Sequence, residues 1–177
     1  MAKRCLIVVD MQNDFIEGEL GFEKAPLVVP AVRKKIQEYQ EQKYDVVYTM
    51  DTHDTNYLQT EEGSHLPVKH CIKGTKGHAL HPEIEAVKKP DERVFEKHTF
   101  PSLVLGDYLE DKGYETVELV GLVSNICVIS NAVIAKAALP NARIEVDANA
   151  TASFDEALHK KALDVMEGMH VVIKNRS

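Results

Sequence analysis

Apolar and polar positions follow two rhythms along the chain. Short apolar runs bounded by polar or turn residues, at Arg4 to Val9, Val46 to Met50, Val94 to Glu96, Thr116 to Val120, Arg143 to Val146 and His170 to Ile173, are predicted to be strands. Between them Val29, Val32, Ile36 and Tyr39 recur at helical spacing, as do Phe154, Leu158, Ala162, Val165 and Met169. The second set follows the capping-box pattern Ser153-Phe-Asp-Glu156 and closes near Gly168. Ile126 to Leu139 is apolar nearly all round and predicts a buried helix, with Ser124 or Asn125 placed to cap it. Strands alternating with helices imply an α/β fold whose parallel sheet is covered on both faces. Asp51 to about Leu80 has no clear period and holds Gly63, Gly74 and Gly77, so it reads as a functional loop.

Composition narrows this picture. The 177 residues suit one domain spanning 1–177, with 44% hydrophobic and 28% charged residues. A net charge of −7 with dispersed lysines and arginines argues against nucleic-acid and anionic-membrane partners. No apolar run approaches the ~20 residues that span a bilayer, and Met1-Ala-Lys-Arg4 leads directly into the first strand, so a cytoplasmic location is expected. Cys5, Cys71 and Cys127 are an odd number without a CxxC, so any important cysteine is expected to act as a thiol.

Ligands of open parallel α/β sheets bind beyond the carboxyl ends of the strands. Asp10 follows the first strand, Asp51 and His53 the second, Lys97 the third, and Cys127 lies just past the fourth. Taken singly, Cys127 reads equally well as a buried helix cysteine, Asp10 as a loop carboxylate and Lys97 as a surface lysine. Their delivery to one sheet edge favours a shared site. Cys127 is the candidate nucleophile; a thiol of pKa ~8.5 is only about 3% thiolate at pH 7 and needs local help. A helix N-terminus contributes on the order of 1 kcal/mol, and Lys97 would add positive charge. Asp10 would accept the thiol proton and pass it to a leaving amine. Asp51, His53 and His70 form a ligand set suited to Zn, Fe or Mn, with Glu62 as a fourth candidate and Cys71 ranked lower. His65, His78, His81 and His98 read as exposed or hydrogen-bonded, and His159 and His170 as structural.

Five segments, Leu6-Ile-Val-Val-Asp10-Met-Gln-Asn-Asp-Phe15, Asp51-Thr-His53, Pro67-Val-Lys-His70-Cys71, Phe95-Glu-Lys97 and Gly121-Leu-Val-Ser-Asn-Ile-Cys127-Val128, together resemble the nicotinamidase and isochorismatase-like cysteine hydrolases. The resemblance implies a six-stranded parallel sheet of order 3-2-1-4-5-6, an Asp10, Lys97, Cys127 triad, and a metal on Asp51, His53 and His70, most simply zinc, that coordinates the pyridine nitrogen of nicotinamide. It also implies a cis peptide at Leu122-Val123, an oxyanion hole from the N–H groups of Val123 and Cys127, an aromatic at Phe15 packing on the substrate ring, and frequent homo-oligomers. Nicotinamidases commonly carry tryptophan where this chain has Leu66, and often a Gly-Gly pair where it has Glu17-Gly18-Glu19-Leu20-Gly21, so the pocket wall is altered.

The expected reaction is hydrolysis of a small carboxamide, nicotinamide first, through a thioester. Another small amide, an N-carbamoyl compound or isochorismate is the nearest alternative, the last disfavoured because family members acting on it do not need the cysteine. A non-catalytic nucleotide-binding or redox module is the alternative of a different class. It lacks a phosphate cradle here, since no GxGxxG follows the first strand and no Walker A motif occurs.

Overall fold

The computed structural model describes residues 2–177. In chain order the regular elements are β1 (Arg4–Val9), α1 (Asn13–Ile16), α2 (Ala25–Glu41), β2 (Asp45–Asp51), α3 (Glu61–His65), α4 (Pro82–Glu85), β3 (Arg93–Lys97), α5 (Leu103–Lys112), β4 (Thr116–Leu122), a π-helical turn (Ser124–Val128), α6 (Ile129–Ala138), β5 (Arg143–Ala152), α7 (Glu156–Gly168) and β6 (Val172–Lys174). The six strands form one sheet in the order 3-2-1-4-5-6. Every pairing is parallel.

Strand alternation explains the layering. Ile7 and Val9 of β1, with Leu119 of β4 and Val146 of β5, face Leu105 and Leu109 of α5, Ala132 of α6 and Met166 of α7. Leu6, Val8 and Val120 point the other way, onto Val29, Val32 and Ile36 of α2 and Ile84 of α4. The helical spacing of Val29, Val32, Ile36 and Tyr39 is therefore the stripe that buries α2. Each such side chain, fully buried, stabilises the fold by about 1.5–3 kcal/mol. No helix among the described residues is long and apolar enough to cross a membrane.

Three local expectations are corrected. Helix α5 has no counterpart in the predicted elements: Leu103 and Val104 are exposed apolar residues that blur its period, and only Leu105, Gly106 and Leu109 are buried. Its ends are conventional, with Ser102 Oγ accepting from the Leu105 N–H and Gly113 closing the helix at φ +62°. Helix α7 starts later than the capping box suggests. Asp155 caps it by accepting from the Leu158 N–H, which leaves Phe154 outside the helix and exposed. The helix expected to be buried, α6, is covered on one side only, at Asn131, Ala132 and Ala135, with Val133 44% exposed, and neither Ser124 nor Asn125 caps it: the residue before the π-helical turn is Val123, and Ser124 Oγ pairs instead with His159 Nδ1 at 2.8 Å.

The face toward α2 also buries charge. Glu118, 1% exposed, accepts from Tyr39 Oη at 2.6 Å and lies 3.2 Å from Lys35 Nζ and 3.0 Å from Lys174 Nζ. Lys35 also lies 3.2 Å from Asp147. The acids are compensated, as buried charge requires.

Gly121 fixes the close contact of β1 with β4. Its φ is +114°, and a Cβ there would stand 2.1 Å from the Val9 carbonyl oxygen. Gly121→Ala is expected to destabilise the protein by about 3 kcal/mol or more, measured by denaturant unfolding. A change within about 0.5 kcal/mol would show that the strand pair adjusts freely.

Candidate active site

Parallel register brings the reactive groups to one edge. Val9 pairs with Gly121 and with Thr49, and Asp51 with Lys97, so the residues following β1 and β4 and those ending β2 and β3 meet at the carboxyl ends of the central strands. Asp10 sits immediately after β1 at φ +48°, a region that aspartate tolerates better than most residues, and is completely buried. Thr49 Oγ1 donates to its Oδ1 at 2.6 Å, while Oδ2 lies 2.6 Å from Lys97 Nζ. Lys97 donates to the Thr99 carbonyl at 3.1 Å and reaches Cys127 Sγ at 3.5 Å. The three residues predicted to act together are therefore in mutual contact range through one ammonium group. The Leu122-Val123 peptide is cis, as the resemblance implied, one turn before Cys127.

Burial and charge set the resting protonation. Burial pushes the Cys127 thiol up, the Asp10 charge pushes it further, and Lys97 opposes both without winning. Burial likewise raises the Asp10 carboxyl, against the pull of Lys97. Burial would lower Lys97, but Asp10, Cys127 and Asp51 more than compensate and hold it charged. Burial therefore favours a neutral thiol beside the charged Lys97 ammonium. Lys97 lowers the thiol pKa as expected, but burial first and the Asp10 charge second outweigh it.

Beside the triad lies a second cluster. Ligand-type atoms of Asp51, His53, Glu62 and His70 all fall within 4.8 Å of one another. Asp51 Oδ2 is 3.0 Å from His53 Nε2 and 3.3 Å from His70 Nε2, and Glu62 Oε1 is 3.6 Å and 3.5 Å from the same two nitrogens. His70 Nδ1 faces the Val68 carbonyl at 2.8 Å, which leaves Nε2 directed into the cluster. Two buried carboxylate oxygens, Asp51 Oδ1 and Glu62 Oε2, have no hydrogen-bond partner among the described residues. Two imidazoles and two carboxylates with unspent acceptors fit a divalent cation of the zinc, iron or manganese type. Without one, burial lowers His70 less than the hydrogen bonds to Asp51 and Glu62 raise it, to about 10.

The supporting residues were not apparent from the sequence. Gln12 Nε2 donates to the carbonyls of Asp51 and His78, both at 2.8 Å, and its Oε1 accepts from the Asp51 N–H at 2.8 Å. Asp14 Oδ2 accepts from the Cys71 N–H at 2.7 Å, tying the turn after His70 to the segment after β1. A Cβ at Gly77 would stand 2.1 Å from that carboxylate, so the cradle needs glycine. Tyr57 packs edge-on against His53 and His70 at centroid distances of 4.8 and 5.0 Å. Gln12 and Asp14 lie inside the motif that begins at Asp10, which was the available signal; Tyr57 gave none.

The other expectations sort simply. Phe15 lies 5.7 Å from the His70 ring, and both Phe15 and Leu66 line the cavity above the site. Cys71 is buried and outside the ligand cluster. His78 bonds Thr52 at 2.9 Å and His65 bonds Glu61 at 2.9 Å. His98 Nδ1 lies 2.9 Å from the Thr52 carbonyl, and His81 Nδ1 accepts from the Glu83 N–H at 3.3 Å.

A family model of the isochorismatase domain matches residues 4–176. The chain belongs to the isochorismatase family. Among characterised relatives, a nicotinamidase of Acinetobacter baylyi is 27% identical over 178 residues, covering 83% of this chain and 81% of its own length. The crystal structure of N-carbamoylsarcosine amidase from Thermoplasma acidophilum shares 30% identity and superposes with a TM-score of 0.82, over 97% of this chain and 95% of that one. A pyrazinamidase of Pyrococcus horikoshii, crystallised in complex with zinc, shares the fold at a TM-score of 0.86 and 23% identity, covering 97% of this chain and 98% of its own.

Proposed function

We propose that this isochorismatase-family chain is a metal-containing cysteine amidohydrolase whose leading substrate is nicotinamide, converted to nicotinate and ammonia. The coarser assignment, a hydrolase of amide C–N bonds, rests on family membership and on its amidase relatives. One observation carries the finer reading: Lys97 Nζ stands 2.6 Å from Asp10 and 3.5 Å from Cys127, beside the four-residue ligand cluster.

In this reading Asp10 takes the thiol proton as Cys127 sulfur bonds to the amide carbon. The N–H groups of Val123 and Cys127 receive the charge that develops on the carbonyl oxygen; losing one such donor typically costs about 100 to 1000-fold. The C–N bond breaks as Asp10 returns the proton to nitrogen, so ammonia leaves and a thioester remains. Asp10 then removes a proton from water as its oxygen attacks the thioester, and the C–S bond breaks as Asp10 returns that proton to sulfur, releasing the acid and restoring the thiol. Lys97 stays protonated throughout and holds the carboxylate and sulfur in place. A divalent cation bound by Asp51, His53, His70 and Glu62, with zinc the first choice, would supply a Lewis acid that orients the ring nitrogen of a pyridine carboxamide.

Purified protein of measured metal content is expected to release ammonia from nicotinamide and pyrazinamide faster than from N-carbamoylsarcosine. The reverse order would favour the second reading, an N-carbamoyl amidase, which the 30% identical amidase supports. No ammonia from any of the three would overturn both.

Asp14 acts on the cluster through the Cys71 N–H. Asp14→Asn puts an amide donor or a weaker acceptor against that N–H. It is expected to weaken zinc binding by about 10 to 100-fold, read by competition with a chelating indicator. Unchanged affinity would remove Asp14 from the support of His70.

A further inference from the structure

The cavity lined by His53 and Glu62 of the ligand cluster and by Val123 and Ile126, close to Cys127 in the chain, is larger than the proposed reaction needs. Its volume is about 1130 Å3, above the roughly 300–1,000 Å3 of pockets that hold drug-sized molecules. Thr52, His53, Glu62, Val123 and Ile126 line the part beside the triad and the ligand cluster, and a single pyridine ring occupies only a fraction of the whole. The remaining wall is strongly apolar and drawn from separate segments: Leu20 and Phe22 after α1, Leu66 after α3, Phe100 after β3 and Phe154 before α7. Phe22 and Phe154 meet edge to face at 6.3 Å, and Phe154 is nonetheless 61% exposed and Phe100 40% exposed. Aromatic side chains left open to solvent inside a concave site are surface that a ligand can cover. Phe154 makes the point most clearly, since it precedes α7, stands outside its buried face of Ala162, Leu163 and Met166, and lines the cavity.

Charge narrows the occupant. Glu19, Asp54, Glu61 and Glu62 line the cavity, and no lysine or arginine does. A divalent cation would compensate Asp51 and Glu62, and His65 lies 2.9 Å from Glu61, which leaves Glu19 and Asp54 as acids facing the cavity without a basic partner among the described residues, a field that disfavours an anionic substrate and favours departure of the carboxylate product.

We propose that the natural substrate is an uncharged carboxamide larger than nicotinamide, bearing a second aromatic or branched apolar group that seats among Phe22, Leu66, Phe100 and Phe154. This rests on the amidohydrolase reading and revises its substrate, placing a larger carboxamide ahead of nicotinamide. Covering an aromatic group in such a wall is worth at least about tenfold in kcat/KM.

The test compares nicotinamide, 5-phenylnicotinamide and 5-carboxynicotinamide as substrates of the metal-loaded protein, by ammonia release, for the parent chain and for Phe154→Ala and Phe100→Ala. The expected result is a preference of at least about tenfold for the phenyl compound over nicotinamide and a deficit of about tenfold for the carboxy compound, with either alanine variant cutting the phenyl preference severalfold. Equal or lower kcat/KM for the phenyl compound, a preference for the carboxy compound, or a phenyl preference indifferent to both variants overturns the proposal. Sedimentation of the same samples reads the competing occupant, a second copy of the chain. A loss of mass on Phe154→Ala without a change in preference assigns the aromatic rim to an interface and overturns the substrate claim. Calorimetric binding of the phenyl compound and of nicotinamide to Cys127→Ala separates the two layers of the argument. Tighter binding of the phenyl compound supports the pocket even if the parent chain hydrolyses neither amide, an outcome that would sink only the reaction, while equal binding rejects the pocket whatever the turnover.

Discussion

Cys127→Ala is expected to reduce amide hydrolysis by at least about 10,000-fold while leaving bound metal at the parent stoichiometry. The magnitude follows from removing the atom that forms the covalent bond, for which no neighbouring group substitutes. Metal retention follows from geometry: the candidate ligands are Asp51, His53, Glu62 and His70, and Cys127 is not among them. The substitution removes one buried sulfur at a site 5% exposed, without orphaning a charge, because Lys97 keeps its contacts with Asp10 and Thr99. Ammonia release from nicotinamide and metal analysis on one preparation check both halves. Parent-level turnover would reject the nucleophile; loss of metal would join the two clusters more tightly than their distances indicate.

Asp10→Asn should separate thiol acidity from proton transfer. Burial and the Asp10 charge both raise the Cys127 thiol, while Lys97 lowers it. Removing the carboxylate deletes one raising contribution and leaves the ammonium in place, so the thiol titrates at lower pH and more thiolate is present at neutrality. Alkylation of Cys127 should therefore accelerate, whereas turnover should fall by about 100 to 10,000-fold, because the amide side chain can neither take the thiol proton nor deliver one to nitrogen. The pH dependence of the alkylation rate is the deciding measurement, with a midpoint displaced to lower pH in the variant. A midpoint displaced upward would mean that Asp10 acts mainly by anchoring Lys97, since losing the anchor would leave burial unopposed. The buried ammonium would then lose the partner 2.6 Å away, and a drop in thermal stability should accompany the change.

Legibility of the fold divides along the same physical line as legibility of the site. The strands were readable because both faces of a parallel sheet are buried, and runs such as Leu6 to Val9 carry that demand in composition. Helix α2 was readable because one side of it is buried and the other solvated. Helix α5 was not, because Leu103 and Val104 are apolar yet exposed, and periodicity cannot distinguish an exposed leucine from a buried one. The start of α7 was misplaced because Ser153 and Asp155 are both competent caps, and the structure uses Asp155 while Ser153 Oγ accepts the Asp155 N–H.

By itself, the sequence determined that Asp10, Asp51, His53, Lys97 and Cys127 stand at strand ends, since a strand's carboxyl end is a position along the chain. Which of them touch was decided only by tertiary structure. Strand order put β1 between β2 and β4, register set Asp51 beside Lys97, and the aperiodic segment before β3 folded so that Glu62 and His70 face Asp51. The roles of Gln12, Asp14 and Tyr57 belong to that second level too. Hydrogen bonds between residues dozens of positions apart leave no local pattern, because sheet pairing and loop packing, not neighbouring residues, bring their partners within reach.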